Sequence, residues 1–350
     1  MDLPLKGRGA QEVLANKFQK SFLSFSEVEG VDEAYLSDKI RTQIFEDHSN
    51  TFVNKVNSPD LGFMYSANPY QGCEHGCAYC YARNSHNYWG FDAGLDFESK
   101  IIIKRNAVKL LENFLLKSPA IVNPISFSGN TDCYQPLEKK FQLTRNCLKL
   151  LLDYRYPVSI ITKNSLILRD LDILKQLASH RLVHVYLSIT TLDENLRRSM
   201  EPRTASVKKR LEVLQTLSDN GIPTAVMMAP IIPSLNDHEI PAVMEATSKS
   251  GALGIGYTVV RLNEDVERVF RGWLLKAYPQ KYLKVIAQVE RLHGGKVSDQ
   301  LPFRRMKGEG PESDMIKQLY YTSKKKFFQG KVMPPLNLSS FRKGGNYQLF

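Results

Sequence analysis

The sequence has little of what membrane-spanning, secreted or repeat proteins carry. No apolar run in its 350 residues reaches the ~18–20 residues that a bilayer-spanning helix needs. The opening MDLPLKGRGAQEVLANKF contains no apolar stretch typical of a secretory signal. No segment repeats at the spacing of solenoid proteins. We therefore expect a soluble, cytoplasmic protein with no membrane partner.

Cysteine is also scarce. The chain has five cysteines, too few for a disulfide framework in a protein of this length. Three of them, Cys73, Cys77 and Cys80, fall within eight residues, whereas Cys133 and Cys147 stand alone. In a reducing compartment, a group of cysteines this close together predicts a metal site.

Acidic residues are few in the last quarter of the chain. From residue 261 to 350, 18 lysines and arginines stand against 8 acidic residues, so this segment carries most of the net charge of +11. A basic excess confined to one segment is expected where that segment faces a polyanion such as nucleic acid. The alternative is a solvated basic tail.

From residue 61 onwards, short apolar runs alternate with helical patterns. The runs are nearly continuous rather than alternating, which is typical of parallel strands covered by helices. We predict an α/β fold, a partial (βα)6 version of the TIM-like barrel spanning residues 61–262. An N-terminal extension (1–60) and a basic, mainly helical C-terminal extension (263–350) flank it. A doubly wound sheet is the alternative, because strand order cannot be read from the pattern. The six predicted strands are 63–68, 125–128, 158–162, 183–189, 224–231 and 255–260.

The clustered cysteines follow the first predicted strand with the spacing C-x3-C-x2-C, and no fourth cysteine lies nearby. A structural zinc site takes four ligands, and His75 inside the loop would make a cramped fourth. Ferredoxin-type iron–sulfur clusters use four thiolates. Three thiolates leave one iron of a four-iron cluster without a protein ligand, which gives a small molecule a place to bind.

This motif resembles the signature of the radical S-adenosylmethionine (SAM) superfamily, C-x3-C-x-aromatic-C, with Tyr79 in the aromatic position. The resemblance implies a [4Fe–4S] cluster held by the three cysteines, with SAM on the open iron. It also implies an enzyme that cleaves SAM reductively to a 5′-deoxyadenosyl radical, which then abstracts hydrogen from a substrate. A flavodoxin- or ferredoxin-type protein would supply the electron.

Further sequence segments resemble the spore photoproduct lyase-like branch, often called DNA repair photolyases. They are NPYQGCEHGCAYCYAR, GLDFESKIIIKRNA, SGNTDCYQPLE, ITKN, EPRTAS and APIIPSLND. By this resemblance, SAM would be contacted by Tyr79 and Tyr81 near the cluster and by Thr131, Lys163 and Ser188 at strand ends. The Lys163 ammonium suits the SAM carboxylate as a point charge.

The chain departs from the lyase at the residue that returns a hydrogen atom to the repaired base. The lyase has a cysteine there, and this chain has Gly129. The resemblance therefore does not imply repair of spore photoproduct. Cys133, four residues later, is the candidate catalytic hydrogen donor, and a small packing residue is the alternative.

Three functions follow as hypotheses. The leading one is radical chemistry on a nucleic acid, with aromatic residues of the basic segment stacking on bases. The alternatives are radical modification of a peptide or small metabolite, and a non-enzymatic iron–sulfur sensor. A separate hypothesis concerns the ending Leu349-Phe350, which resembles the last two positions of the peptide by which bacterial DNA repair proteins hold the sliding clamp. Docking of this tail onto the protein's own barrel is the alternative.

Overall fold

The strands were located in a computed structural model that describes residues 7–10 and 42–345. The strands of this part are β1 Gln43–Glu46, β2 Val53–Lys55, β3 Tyr65–Ala67, β4 Tyr70–Gln71, β5 Lys100–Ile103, β6 Ile125–Phe127, β7 Val158–Thr162, β8 Val183–Ser188, β9 Thr224–Ile231 and β10 Gly254–Val259. The large sheet has the order β10-β9-β8-β7-β6-β3-β2. Strands β3 and β6–β10 are parallel and follow chain order, and β2 joins β3 antiparallel.

This order confirms the predicted fold class, a partial TIM-like barrel of six βα units. A doubly wound sheet would reverse its strand order partway along, and this sheet does not. Along β7, Val158, Ile160 and Thr162 are fully buried, while Ser159 and Ile161 are half-buried. Val158 and Ile160 belong to the main hydrophobic core, whereas Ile161 and Thr162, at the carboxyl end of the strand, line a cavity.

The helices of the described part pack around the two sheets and on one another. They are α1 Leu95–Ser99, α2 Ala107–Lys117, α3 Glu138–Phe141, α4 Leu143–Asp153, α5 Leu171–Ser179, α6 Glu194–Met200, α7 Val207–Asp219, α8 Ile240–Lys249, α9 Asp265–Ala277, α10 Tyr282–Leu292, α11 Arg304–Lys307 and α12 Gly310–Phe327. Shorter 3₁₀ segments include Tyr81–Trp89, which follows the cysteine loop. Within the described ranges, no helix is long and apolar enough to cross a membrane.

Both flanking segments contact the barrel. On the N-terminal side, β1 pairs with β5 in a small second sheet, and β2 extends the large one. On the C-terminal side, α12 packs on α8 and α10. The chain after α12 then runs past the amino-terminal ends of the strands. There His184 Nε2 lies 2.8 Å from the Pro334 carbonyl, and Phe341 packs on Tyr156. The division at 60/61 and 262/263 stays a prediction. The sliding-clamp hypothesis concerns residues 346–350, which lie outside the described residues.

Candidate active site

The three clustered cysteines lie in the loop beyond β3 and β4. Their side chains face one cavity, and Cys73 and Cys77 are buried. Two other elements fix the loop backbone. The Cys73 N–H donates to the Phe97 carbonyl in α1 at 2.9 Å, and the Ala78 N–H donates to the Met200 carbonyl in α6 at 3.0 Å. The fold itself therefore sets the positions of the cysteines.

A fully buried arginine, Arg83, supports the same loop from behind. Its Nε and Nη2 donate to the Cys77 carbonyl at 3.0 and 2.9 Å. Its Nη1 donates to the Ala93 and Gly94 carbonyls, and its Nη2 also pairs with Glu98 at 2.6 Å. All five guanidinium N–H groups thus have acceptors, which a buried cation requires.

The N-terminal Gly-Arg-Gly-Ala segment docks on the outer side of the cysteine loop. The Ala10 N–H donates to Glu98 at 2.7 Å, and Arg8 donates to the Glu98 carbonyl at 3.0 Å. A Cβ at Gly9 would lie 1.8 Å from the Gly76 carbonyl oxygen. Only glycine fits at this close approach, because any side chain would displace the loop that carries the cysteines.

Tyr79, between the second and third cysteines, is held by a buried carboxylate. Its hydroxyl donates to Glu201, which also accepts from the Thr190 hydroxyl at 2.9 Å and from Arg210 at 2.5 Å. Burial acts to raise the pKa of Glu201, but Arg210 and Lys163 outweigh it and lower the pKa to about 2. Glu201 is therefore ionised and fixes the orientation of the Tyr79 ring.

His75 is committed to partners inside the protein. Its Nδ1 lies 3.4 Å from Asp132, and its Nε2 lies 3.1 Å from the Asn164 amide. Burial acts to lower the pKa of His75, but negative charge on Cys73 and Asp132 outweighs it and raises the pKa to about 10. The geometry thus disfavours His75 as the fourth ligand that a zinc site would need.

A cavity of about 490 Å³ lies beside the cysteine loop, at the carboxyl ends of the barrel strands. Apolar residues from the segment after β2 and from α11, among them Leu61, Phe63 and Met306, form part of its wall. Eight of the nine predicted site residues also line it, and their individual roles stay predictions. They are Cys73, Cys77, Tyr79, Cys80, Tyr81, Thr131, Lys163 and Ser188.

Two cations in this cavity stand over the two tyrosines that flank Cys80. The Lys163 Nζ lies 5.8 Å from the centroid of the Tyr79 ring, and the Arg261 guanidinium carbon lies 5.3 Å from that of Tyr81. Lys163 follows β7 and Arg261 follows shortly after β10, so different walls of the cavity supply them.

A hydrogen bond to another segment fixes the position of each of the two polar residues Thr131 and Ser188. The Thr131 hydroxyl donates to the Gly72 carbonyl at 2.7 Å, which ties the loop after β6 to the start of the cysteine loop. Ser188 ends β8, and its carbonyl accepts from Arg210 at 2.9 Å. Both side chains are buried at the cavity wall.

Cys133 is the predicted site residue that the structure does not bring to the cavity. It is fully buried in the main hydrophobic core, whereas the neighbouring residues from Ser128 to Asp132 line the cavity. Its carbonyl accepts from the Thr144 hydroxyl at 2.6 Å, and burial raises the pKa of its thiol well above the usual value. This placement favours packing over hydrogen donation.

The donor set suits an iron–sulfur cluster with an open iron. The three thiols of the loop line the cavity and are soft metal ligands. Lys163 offers a cation for a carboxylate. Among residues 7–10 and 42–345, no group of three His, Cys, Asp or Glu side chains is arranged to hold a single metal ion. An iron–sulfur cluster does not require such a group, because each thiolate binds a different iron.

Sequence reasoning missed the residues that support the cysteine loop. Glu201, Arg83 and Glu98 all occur in the sequence segments that carry the family resemblance, and this was the signal by which they could have been found. Their partners lie far away along the chain. Tyr79 and Glu201, for example, are separated by 122 positions.

Comparison with known proteins agrees with this geometry. The family model described as the radical SAM superfamily matches residues 67–247, just over half of the chain. An uncharacterised protein of Methanocaldococcus jannaschii is 35% identical over 235 residues, which cover 66% of this chain and 82% of that protein. An uncharacterised protein of Mycobacterium tuberculosis is 31% identical over 65% of this chain and 68% of its own length.

Among solved structures, a spore photoproduct lyase mutant with bound AdoMet and dinucleoside spore photoproduct is similar. The TM-score is 0.59 at 15% identity, over 82% of this chain and 79% of that chain. Likeness at this level of identity establishes the fold.

Proposed function

The chain belongs to the radical SAM superfamily, and on that premise we propose that it abstracts a hydrogen atom from a nucleic-acid or nucleotide-like substrate in the cavity beside the cysteine loop. It is an enzyme whose cofactors are a [4Fe–4S] cluster and SAM. Bound together, these supply the one-electron cleavage of SAM that yields a 5′-deoxyadenosyl radical. Enzymes of this family need a reductant such as flavodoxin or ferredoxin.

In this proposal Cys73, Cys77 and Cys80 hold the cluster. Lys163 binds the SAM carboxylate as a point charge on the cavity wall. Tyr79 and Tyr81 flank the third cysteine, and their rings face the cavity, while Thr131 and Ser188 supply polar contacts from the ends of β6 and β8. The networks around Glu201 and Asp132 keep this wall in one arrangement before any ligand binds.

The observation that carries the choice of substrate is the position of α11. This basic helix places Met306 in the cavity wall, with Arg305 and Lys307 on either side. Phe303, just before it, is 64% exposed and is available to stack on a base. Arg305 is paired with Asp60 and Lys307 donates to the Tyr257 carbonyl, so Phe303 is the side chain of this region that is exposed for contact with a base beside the cavity.

Part of the aromatic surface expected from the sequence is not available for stacking. Trp273, Tyr320 and Phe328 are buried, because α9 and α12 turn their apolar faces onto other elements of the fold. Tyr321 is exposed, near the lysines that end α12. The proposed nucleic-acid surface thus comprises Phe303, Tyr321 and the basic side chains around them.

A binding experiment tests the choice of substrate. The reconstituted enzyme should bind single-stranded oligonucleotides with an affinity that falls as salt rises. Replacing Lys324, Lys325 and Lys326 with Gln should weaken binding and flatten the salt dependence, since all three are exposed. Exposed Lys208 and Lys209 on α7 provide the control, and their replacement should change neither.

Transfer of deuterium from labelled oligonucleotides into 5′-deoxyadenosine under anaerobic conditions would then identify the reaction. SAM cleavage that transfers deuterium from peptides, with no salt-dependent binding of oligonucleotides, would replace the nucleic-acid proposal with the peptide alternative.

A further inference from the structure

Two cationic side chains line the cavity outside the cysteine loop. Outside the cysteine loop, the charged side chains in its wall are Lys163, Arg261 and Asp132. Lys163 also acts on the buried Glu201 carboxylate, whose pKa it lowers, so Arg261 is the cation whose counter-charge has to be identified. An interior cation normally lies close to an anion, because removing a charge from water is costly.

Asp132 is not available to either cation side chain. One carboxylate oxygen accepts from the Thr162 hydroxyl and the Tyr134 N–H, both at 2.8 Å. The other accepts from the Lys163 backbone N–H at 2.8 Å and lies 3.4 Å from His75. The carboxylate is thus fully used to shape the loops around it.

Among the residues that the structure describes, no carboxylate forms an ion pair with Arg261, and Asp60, which acts on its charge, is itself paired with Arg305. Arg261 is half-buried, and the contact it makes in the cavity is with the Tyr81 ring. Nearby arginines of the same basic segment are paired, Arg304 with Asp299 and Arg305 with Asp60. Burial and the neighbouring Arg305 lower the pKa of Arg261, and Tyr81 and Asp60 offset only part of this effect.

SAM does not supply the missing anion for both cations. It carries one carboxylate, together with a positive sulfonium and an amino group, and the proposed function assigns that carboxylate to Lys163. Lys163 and Arg261 stand over different tyrosines, on opposite sides of Cys80 in the sequence. Arg261 is therefore available to bind a second oxyanion, and the substrate is the component that can bring it.

We propose that Arg261 is a substrate-specificity residue that binds an oxyanion of the substrate. Its planar guanidinium suits two-pronged contact with a phosphate or a carboxylate. Resting on the proposed function for the substrate class, the oxyanion is the phosphate of a nucleotide. Arg261 then recognises the phosphate of the substrate beside Tyr81, the residue that follows the third cysteine.

Anaerobic calorimetry on the enzyme loaded with cluster and SAM tests this assignment. The probes are thymidine 5′-monophosphate, thymidine, which lacks the phosphate, and succinate, which offers carboxylates. The parent should bind the monophosphate about 10- to 100-fold more tightly than thymidine, the range expected of hydrogen bonds to a charged group. Arg261→Gln should remove this difference, and Arg261→Lys should restore part of it. Arg198→Gln, an exposed arginine on α6, is the matched control.

Each outcome separates this site from the proposed function. If succinate binds in an Arg261-dependent manner and the monophosphate does not, the oxyanion site stands and the nucleotide substrate fails. If parent and Arg261→Gln both prefer the monophosphate equally, the site is overturned while the nucleotide substrate stands. Binding of neither oxyanion by the parent overturns the site. Two further outcomes would assign Arg261 to the cofactors and overturn the oxyanion site. One is a loss of SAM affinity in Arg261→Gln, and the other is a shifted reduction potential of the cluster with unchanged binding of the probes.

Discussion

At the scale of single residues, the cysteines divide by what their side chains face. Cys73, Cys77 and Cys80 face the cavity, whereas Cys133 and Cys147 are buried in the main core. Replacing any of the first three with Ala should abolish the cluster, because each thiolate binds a separate iron. Iron analysis and the visible absorption spectrum measure this, with about four irons per chain expected for the reconstituted parent.

Cys133→Ala and Cys147→Ala are the controls for the cluster cysteines. Both should keep the iron and lose only about 1 kcal/mol of stability, a common cost for one core substitution. A colourless parent that binds zinc and resists reconstitution would refute the cluster assignment. A product altered by Cys133→Ala would instead show that this thiol donates hydrogen despite its burial.

Lys163 is the second residue whose removal has a defined consequence. Lys163→Ala should weaken SAM binding about tenfold or more while the cluster stays intact, because the variant loses a charge-assisted contact to the SAM carboxylate. Equilibrium binding of SAM to the reconstituted protein measures the change. Lys175→Ala on the exposed face of α5 should bind SAM as the parent does. Unchanged affinity in Lys163→Ala would mean that the lyase-like role does not carry over at this position.

The sequence allowed the cavity-facing residues to be predicted but not the residues behind them. Tyr81, Thr131 and Ser188 fall at motif positions or strand ends, where local pattern is informative. Glu201 and Arg83 act through partners that only the folded chain brings close. Contacts of this kind leave no periodic trace in the sequence, because they depend on how separate elements pack.

At the scale of elements, the long central strands were the easiest to locate. The predicted ranges 158–162 and 224–231 coincide with β7 and β9, because buried parallel strands give unbroken apolar runs. The antiparallel β2 was missed, since its three residues include the polar Asn54 and Lys55 and it lies at the sheet edge. Edge strands are short and half-solvated, so their pattern is weak.

The docked N-terminal segment makes a prediction for the cysteine loop. Gly9→Ala would place its Cβ against the Gly76 carbonyl and should displace either the segment or the loop. We expect a cluster that is lost faster in air and a lower melting temperature, including in the apoprotein. Gly272→Ala in α9 is the control, because a Cβ there meets no atom within 4 Å and helix propensity favours alanine. Parent-like cluster lifetime and melting temperature in Gly9→Ala would show that the contact does not support the loop.

At the scale of the whole molecule, a partial barrel leaves two sheet edges that do not pair with each other, and here the sheet has seven strands because β2 adds to the six parallel ones. Here one edge is β2 and the other is β10. The segment after β2 contains Asp60, and α11 beside β10 contains Arg305. Arg305 donates to Asp60 at 2.5 and 2.6 Å, so one ion pair joins the two sides. The same two segments supply Leu61 and Met306 to the cavity wall.

The Asp60–Arg305 pair should therefore hold the cavity closed as well as stabilise the fold. Its hydrogen bonds lower the pKa of Asp60, so its contribution is present above the unfolded pKa of ~4 and is lost as pH falls through the folded value. Asp60→Asn and Arg305→Gln should each cost about 1–3 kcal/mol and speed SAM dissociation, and the double variant should cost less than their sum. Melting temperatures near neutral pH and stopped-flow release of SAM measure both effects. Lys249→Gln, which removes an exposed ion pair with Glu245 on α8, should change neither by a comparable amount. Additive losses in the double variant, or parent-like SAM release in all three variants, would show that the pair does not close the cavity.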